Sequence, residues 1–179
     1  MSEIPSGEWV PEGSLSFQFP APWRMWKWDG DSAFKDGIRR LRDSHGVDFV
    51  GVRGTDLSCF IEVKDYRWHK RKWSNDELAT WLAQKVRDTI AGIVGARYRR
   101  GNEEDWKLHL GAWFARRSLA VILWLEEKHL KKEEMAFLTD ALKRKLRWLT
   151  TRVLVANLAD PPPGFDFKAK SLPGAGQRQ

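Results

Sequence analysis

The strongest constraint in this sequence is a pair of strand-like runs, residues 47–53 (VDFVGVR) and 57–64 (LSCFIEVK), separated only by Gly54, Thr55 and Asp56. Runs rich in β-branched and aromatic residues on either side of a short Gly-containing connector read as a β-hairpin. A three-residue turn sets Arg53 opposite Leu57, and the register then runs inward until Asp48 faces Glu62, with Cβ atoms about 5 Å apart. Side chains alternate along a strand, so Ile61 and Val63 take one face while Glu62 and Lys64 share the other. Two carboxylates and an amine are thereby expected in one place. Like charges so close repel unless a cation joins them, and a hard divalent ion such as Mg²⁺, with Mn²⁺ substituting, suits carboxylate oxygens. Lys64 would then sit beside the ion and its water, where it can orient the nucleophile and offset charge on a phosphate in flight. The competing reading is a solvated cross-strand charge ladder.

Spacing alone does not single out this site. An acid-x-Lys tripeptide occurs at Glu62, Asp105, Glu126 and Asp166. Only Glu62 follows a strand-like run that a short turn links to an upstream strand-borne acid, Asp48.

Around the hairpin, Asp31-Ser32 opens a short basic helix running to about Arg42 and closed by His45-Gly46. Ser74 and Glu77 have the spacing of a capping box, and Leu78, Trp81, Leu82, Val86, Ile90, Ile93 and Val94 continue from it as the apolar stripe of a helix, with Arg87 and Asp88 lying mostly off the stripe. Residues 119–125 (LAVILWL) read as a strand buried on both faces, 132–149 as an amphipathic helix, and 152–158 as a last strand. The order helix, hairpin, helix, strand, helix, strand predicts an α/β chain, a mixed sheet with helices packed on it. Residues 1–22, with four prolines, are expected to form an extended or irregular N-terminal arm, broken only by a short strand at about 15–19. Residues 23–158 form a single domain, and 159–179, which begin near three consecutive prolines, a C-terminal tail. Most of the eleven tryptophans are expected in the core or at its edges.

The stretch from Gly46 through Val52, the turn, and Cys59-Phe-Ile-Glu-Val-Lys-Asp-Tyr-Arg67 resembles the core of the PD-(D/E)xK nuclease superfamily. The strict match covers about a tenth of the chain and extends over residues 31–125 with the flanking elements. The resemblance implies a restriction-endonuclease-like fold, three layers as α/β/α, and Mg²⁺-dependent cleavage of nucleic acid, usually DNA. It implies Asp48 and Glu62 as metal ligands, the Val63 main-chain carbonyl as a third, and Lys64 as the catalytic lysine. Many members add an acid from the first helix, for which Asp31 or Asp36 stands here without the usual glutamate. Many also add a Gln or Lys from the helix after the acid-x-Lys strand, for which Gln84 or Lys85 stands, against the alternative of a snorkelling surface lysine. The superfamily's extra strand has no room between the first helix and Asp48; either residues 23–28 supply an edge strand from the N-terminal side or the sheet is smaller.

Beside this site, residues 66–73 interleave Arg67, Lys70, Arg71 and Lys72 with Tyr66, Trp68 and Trp73, with His69 among them. Cations hold phosphates and rings stack on unpaired bases, so Arg67, Trp68, His69, Lys70, Arg71 and Lys72 are the expected nucleic-acid contacts; the alternative is a charged loop whose tryptophans tuck back onto the fold. Arg97-Tyr-Arg-Arg100 and Arg116-Arg117 extend the basic inventory. A formal net charge of +7 favours polyanionic partners, nucleic acid first, with further protein partners if the chain is one subunit of a larger assembly. The single Cys59 excludes an internal disulfide and fits a reducing cytoplasm. No apolar run approaches the ~20 residues of a membrane helix, and the opening residues lack a signal-peptide pattern. Cys59 lies in an apolar run with no histidine nearby, which disfavours a thiol hydrolase, and no Gly-rich phosphate cradle is present. Two further readings compete with the nuclease: a catalytically silent nucleic-acid-binding or protein-interaction member of the same fold, and a basic scaffold that only neutralises an acidic protein.

Overall fold

In a computed structural model, which describes residues 3–100 and 118–173, the chain is a mixed α/β protein built on a six-stranded sheet. Its strands are β1 (Glu3–Ile4), β4 (Trp23–Lys27), β5 (Phe49–Arg53), β6 (Leu57–Tyr66), β7 (Ser118–Glu127) and β8 (Val153–Ala156), in the order β1-β4-β5-β6-β7-β8. The β1–β4, β4–β5 and β5–β6 pairs are antiparallel, whereas β6–β7 and β7–β8 are parallel, so the sheet is mixed as expected. A second sheet, in the order β2-β3-β9, joins β2 (Trp9–Glu12) and β3 (Leu15–Gln18) to β9 (Lys168–Ser171).

The hairpin has the register its turn dictates. Arg53 pairs with Leu57 and Phe49 with Ile61, which brings Asp48, one residue before β5, level with Glu62. Gly54 takes φ +53°, a conformation open to glycine at little cost. The strand over residues 23–28 expected beside this hairpin is β4, paired antiparallel to β5.

Among the described residues, three helices cover one face of the large sheet. These are α1 (Ser32–Lys35), α2 (Asn75–Arg100) and α3 (Lys132–Leu146), and a 3₁₀ turn (Ile38–Arg40) follows α1. The Ser74 and Glu77 capping box forms: the Glu77 amide donates to Ser74 Oγ (3.3 Å) and the Ser74 amide to Glu77 Oε2 (2.7 Å). Leu78, Leu82, Val86 and Ile93 of α2 and Leu138, Leu142 and Leu146 of α3 pack against Phe60, Val121, Leu123 and Leu125 of the sheet. The first helix is much shorter than the sequence predicts. It ends at Asp36 and Gly37, whose φ and ψ of −103° and −120° lie outside the helical region. Asp88, expected off the packed stripe, is 4% exposed, and its Oδ2 accepts from the His45 amide, while Thr89 Oγ1 accepts from the Val47 amide. These two α2 side chains fix the segment that delivers Asp48.

The opposite face corrects two expectations. Among the described residues it carries no helix, so the layers are helices, sheet and small sheet, not α/β/α. The N-terminal arm and C-terminal tail are likewise not irregular. Leu15, Phe17, Phe165 and Phe167 are buried, and Phe17 packs against Phe49 and Trp124 with ring centroids 5.5 and 5.2 Å apart. Prolines do not prevent this: Pro11 stands on the edge strand β2, where its missing N–H costs no ladder bond, and Pro5 and Pro20 serve as turn acceptors. Of the described tryptophans, Trp23, Trp26, Trp28 and Trp124 are buried, while Trp9, Trp68, Trp73 and Trp148 are exposed. No described helix is long and apolar enough to cross a membrane.

Candidate functional site

Pleat alternation sends Phe60, Glu62 and Lys64 of β6 toward α2, and Cys59, Ile61 and Val63 into the core beneath the small sheet. Glu62 is fully buried, where an unpartnered carboxylate is very costly. Lys85 of α2 answers it: Nζ donates to Glu62 Oε1 (2.8 Å) and Oε2 (2.7 Å) and lies 3.9 Å from Asp48 Oδ1. Lys64 Nζ adds a further ion pair to Glu62 Oε1 at 3.1 Å. Both ammonium groups lie over the indole of Trp81, 4.3 Å (Lys64) and 4.5 Å (Lys85) from its centroid, and Trp73 packs against that indole from outside. One ammonium thus spans the two hairpin carboxylates, so Asp48 and Glu62 share a side of the sheet. The charge-ladder alternative fails on burial, because Glu62 and Asp48 are 0% and 7% exposed.

Asp48 is held from several directions. Its Oδ2 accepts from the Val63 amide (2.7 Å), and its main-chain carbonyl accepts from the Trp28 amide (2.9 Å). Burial, reinforced by the nearby carboxylates of Glu62 and Glu12, pushes its carboxyl up to about 8, against the pull of Lys85 and the Val63 amide. Burial also raises Glu62, with Lys85 and Lys64 pulling the other way. Strongly displaced carboxyls beside cations are a pattern that functional sites share.

Two acids missing from the sequence reading complete the group. Glu12 of β2 and Asp29, just past β4, each bring a carboxylate oxygen within 4.8 Å of the other's and of Asp48's. Lys27 pairs with Glu12 (2.9 Å) and lies over the Phe49 ring. Asp29 stands where the expected first-helix acid does not. Asp31 instead caps α1, its Oδ1 accepting from the Ala33 amide (2.7 Å), and the Asp36 carboxylate faces Arg40 in the open. Neither Asp31 nor Asp36 joins the acidic group. Of the α2 candidates, Lys85 does join it, whereas Gln84 is exposed.

The other acid-x-Lys sites are unlike this one. Glu126 lies on the opposite face of the sheet, accepting from Trp124 Nε1 (2.9 Å) and the Leu158 amide (2.7 Å). Asp166 accepts from Trp23 Nε1. Asp105 lies outside the described residues, as do Arg116 and Arg117.

The basic loop divides by what its side chains already hold. Arg67 is bound by both oxygens of Asp65 and donates to Ser171 Oγ (2.6 Å), and Asp65 also accepts from Ser14 Oγ, so this group ties β6 to the small sheet. Arg71 Nε donates to Glu127 Oε2 (3.1 Å) and Nη1 to Asn75 Oδ1 (2.8 Å). Trp68, His69, Lys70 and Lys72 are exposed. Comparisons with protein families, curated proteins and solved structures give no match to this chain.

Proposed function

We propose that the protein is a metal-dependent nuclease of the PD-(D/E)xK type that hydrolyses DNA phosphodiester bonds, alone or as the nuclease subunit of a larger assembly. The observation that carries this reading is the span of one Lys85 ammonium across two buried hairpin carboxylates, with Lys64 on the second of them. A hairpin followed by a helical crossover into a parallel strand supports a restriction-endonuclease-like core, here backed by a small sheet in place of a second helical layer.

A hard divalent cation such as Mg²⁺ or Mn²⁺ fits the donor set, since Asp48, Asp29 and Glu12 offer carboxylate oxygens close to one another. Those three residues would hold it, with Glu62 beside Asp48. When bound, such an ion supplies Lewis acidity toward a phosphoryl oxygen and a nucleophilic water at neutral pH. Glu62 fixes the Lys64 ammonium, whose 26% side-chain exposure leaves it open to offset charge on a phosphate. Trp81 restricts both lysines from below. Asp48 gives up its proton when it serves as a ligand, so binding of the cation would release a proton and tighten as the pH rises.

The test is cleavage of DNA, single- and double-stranded, in the presence of Mg²⁺ or Mn²⁺. Glu62→Gln and Lys64→Ala abolish cleavage, while Glu133→Gln, at an exposed acid of α3, leaves it intact. Unfolding curves verify that each variant folds. Absence of cleavage by the parent chain on either DNA form, with either metal, overturns the proposal. One observation favours the second reading, a catalytically silent nucleic-acid-binding or protein-interaction member: Lys85 Nζ donates to both Glu62 oxygens. Metal-independent DNA binding without cleavage supports that reading instead.

A further inference from the structure

Strands β6 and β7 run parallel and end together, Tyr66 in register with Glu127. Beyond their carboxyl ends, where open α/β sheets take ligands, lies a recess of about 360 Å³. Its walls include Tyr66, Trp68, His69, Lys70 and Lys128. Tyr66 follows Glu62 and Lys64 on the same side of β6, and two residues of strand separate it from Lys64 by about 7 Å. Tyr66 thus links the recess wall to the strand that carries the carboxylate and lysine group.

What lines it has a definite chemistry. The His69 ring stands edge-on to Tyr66 (5.4 Å, 83°), and the Trp68 indole is 52% exposed with the Arg67 guanidinium 5.8 Å from its centroid. Two arginines in the region are already engaged, Arg67 by Asp65 and Arg71 by Glu127. That second pair also neutralises Glu127, the acid of the recess wall. Lys70 and Lys128 are exposed and, among the described residues, form no ion pair. An open indole beside two available ammonium groups, in a volume within the range of small-ligand sites, suits a flat heteroaromatic ring that carries a phosphate. Duplex DNA offers phosphates but keeps its base faces stacked; an unpaired nucleotide offers both.

We propose that this recess receives an unpaired nucleotide of a DNA strand, so that the substrate is single-stranded DNA or a frayed end with its neighbouring phosphate at Lys64. The placement of that phosphate rests on the nuclease reading; the capture of the nucleotide does not. The test is fluorescence anisotropy of the full chain, without divalent metal, against a labelled single strand and a blunt duplex of equal length. The single strand binds more tightly. Trp68→Ala weakens strand binding about tenfold and leaves duplex binding unchanged, and Lys70→Gln and Lys128→Gln each lower the salt slope of strand binding by about one. Trp68→Ala weakening both forms alike, or neither, overturns the proposal. Cleavage of the same DNAs with Mg²⁺ separates the two ideas. Cleavage of both forms that ignores Trp68 removes the recess and keeps the nuclease, while Trp68-dependent strand binding without cleavage keeps the recess and removes the nuclease.

Discussion

Asp48→Asn replaces a carboxyl whose proton the folded chain retains. Burial, with Glu62 and Glu12 close by, pushes this group from 3.8 up to about 8. Between those values the folded chain holds a proton that the unfolded chain has released, so this group's contribution to stability is full below about pH 4 and is lost as the pH rises toward 8. Each pH unit in that window corresponds to about 1.4 kcal/mol, so passing from about pH 5 to about pH 7 costs the parent chain about 2.7 kcal/mol through this group. Because Asp48 and Glu62 interact, the proton belongs to the pair, and part of this slope will appear through Glu62. Asparagine does not titrate, yet its carbonyl can still accept from the Val63 amide. Urea unfolding of parent and variant across this range is expected to show a gap that moves by about 2–3 kcal/mol in favour of Asp48→Asn. A gap that stays constant from pH 5 to 7 refutes the reasoning, because Asp48 would then titrate as an ordinary exposed aspartate.

Lys85→Met keeps an apolar stem over Trp81 but leaves the buried Glu62 with Lys64 alone; the expected loss is about 3–5 kcal/mol in denaturant unfolding. Adding Glu62→Leu to Lys85→Met recovers most of that loss, and a double variant no more stable than the single one would contradict the view that the buried charge is the cause. Phe17→Ala opens a hole between Phe49 and Trp124 and is expected to cost about 3–5 kcal/mol, measured as a shift in the urea midpoint. A loss below about 1 kcal/mol would mean that the small sheet is an appendage and not part of the core.

The hairpin and its neighbours were legible because their signals are local. The three-residue connector sets the register, Ser74 and Glu77 mark the start of α2, and an apolar run closed by Glu126-Glu127 marks β7. Asp48, Glu62 and Lys64 followed from that register, whereas Lys85 entered only through the family resemblance, as an alternative to Gln84. The small sheet was not legible, since β3 pairs with β9 about 150 residues later and its prolines read as punctuation. Glu12 and Asp29 were hidden for the same reason: Glu12 reaches Asp48 only once β2 is folded across the sheet, and Asp29 is ordinary until β4 pairs with β5. Trp81 counts as one more apolar position on its helix, and nothing in its spacing reveals the two lysines over its ring. Arg67 and Arg71 looked like phosphate contacts because cations beside aromatics carry no record of their partners; Asp65 lies two residues from Arg67, and Glu127 arrives from another strand.

Under the proposed function, Asp48 and the acids beside it grip a single cation. Crystals soaked in Mn²⁺ and measured for anomalous scattering test it most directly. One strong peak is expected within coordinating distance of Asp48, lost in Asp48→Asn crystals. No peak near Asp48 at saturating Mn²⁺, with the Lys85 ammonium still lying across Glu62, would contradict it.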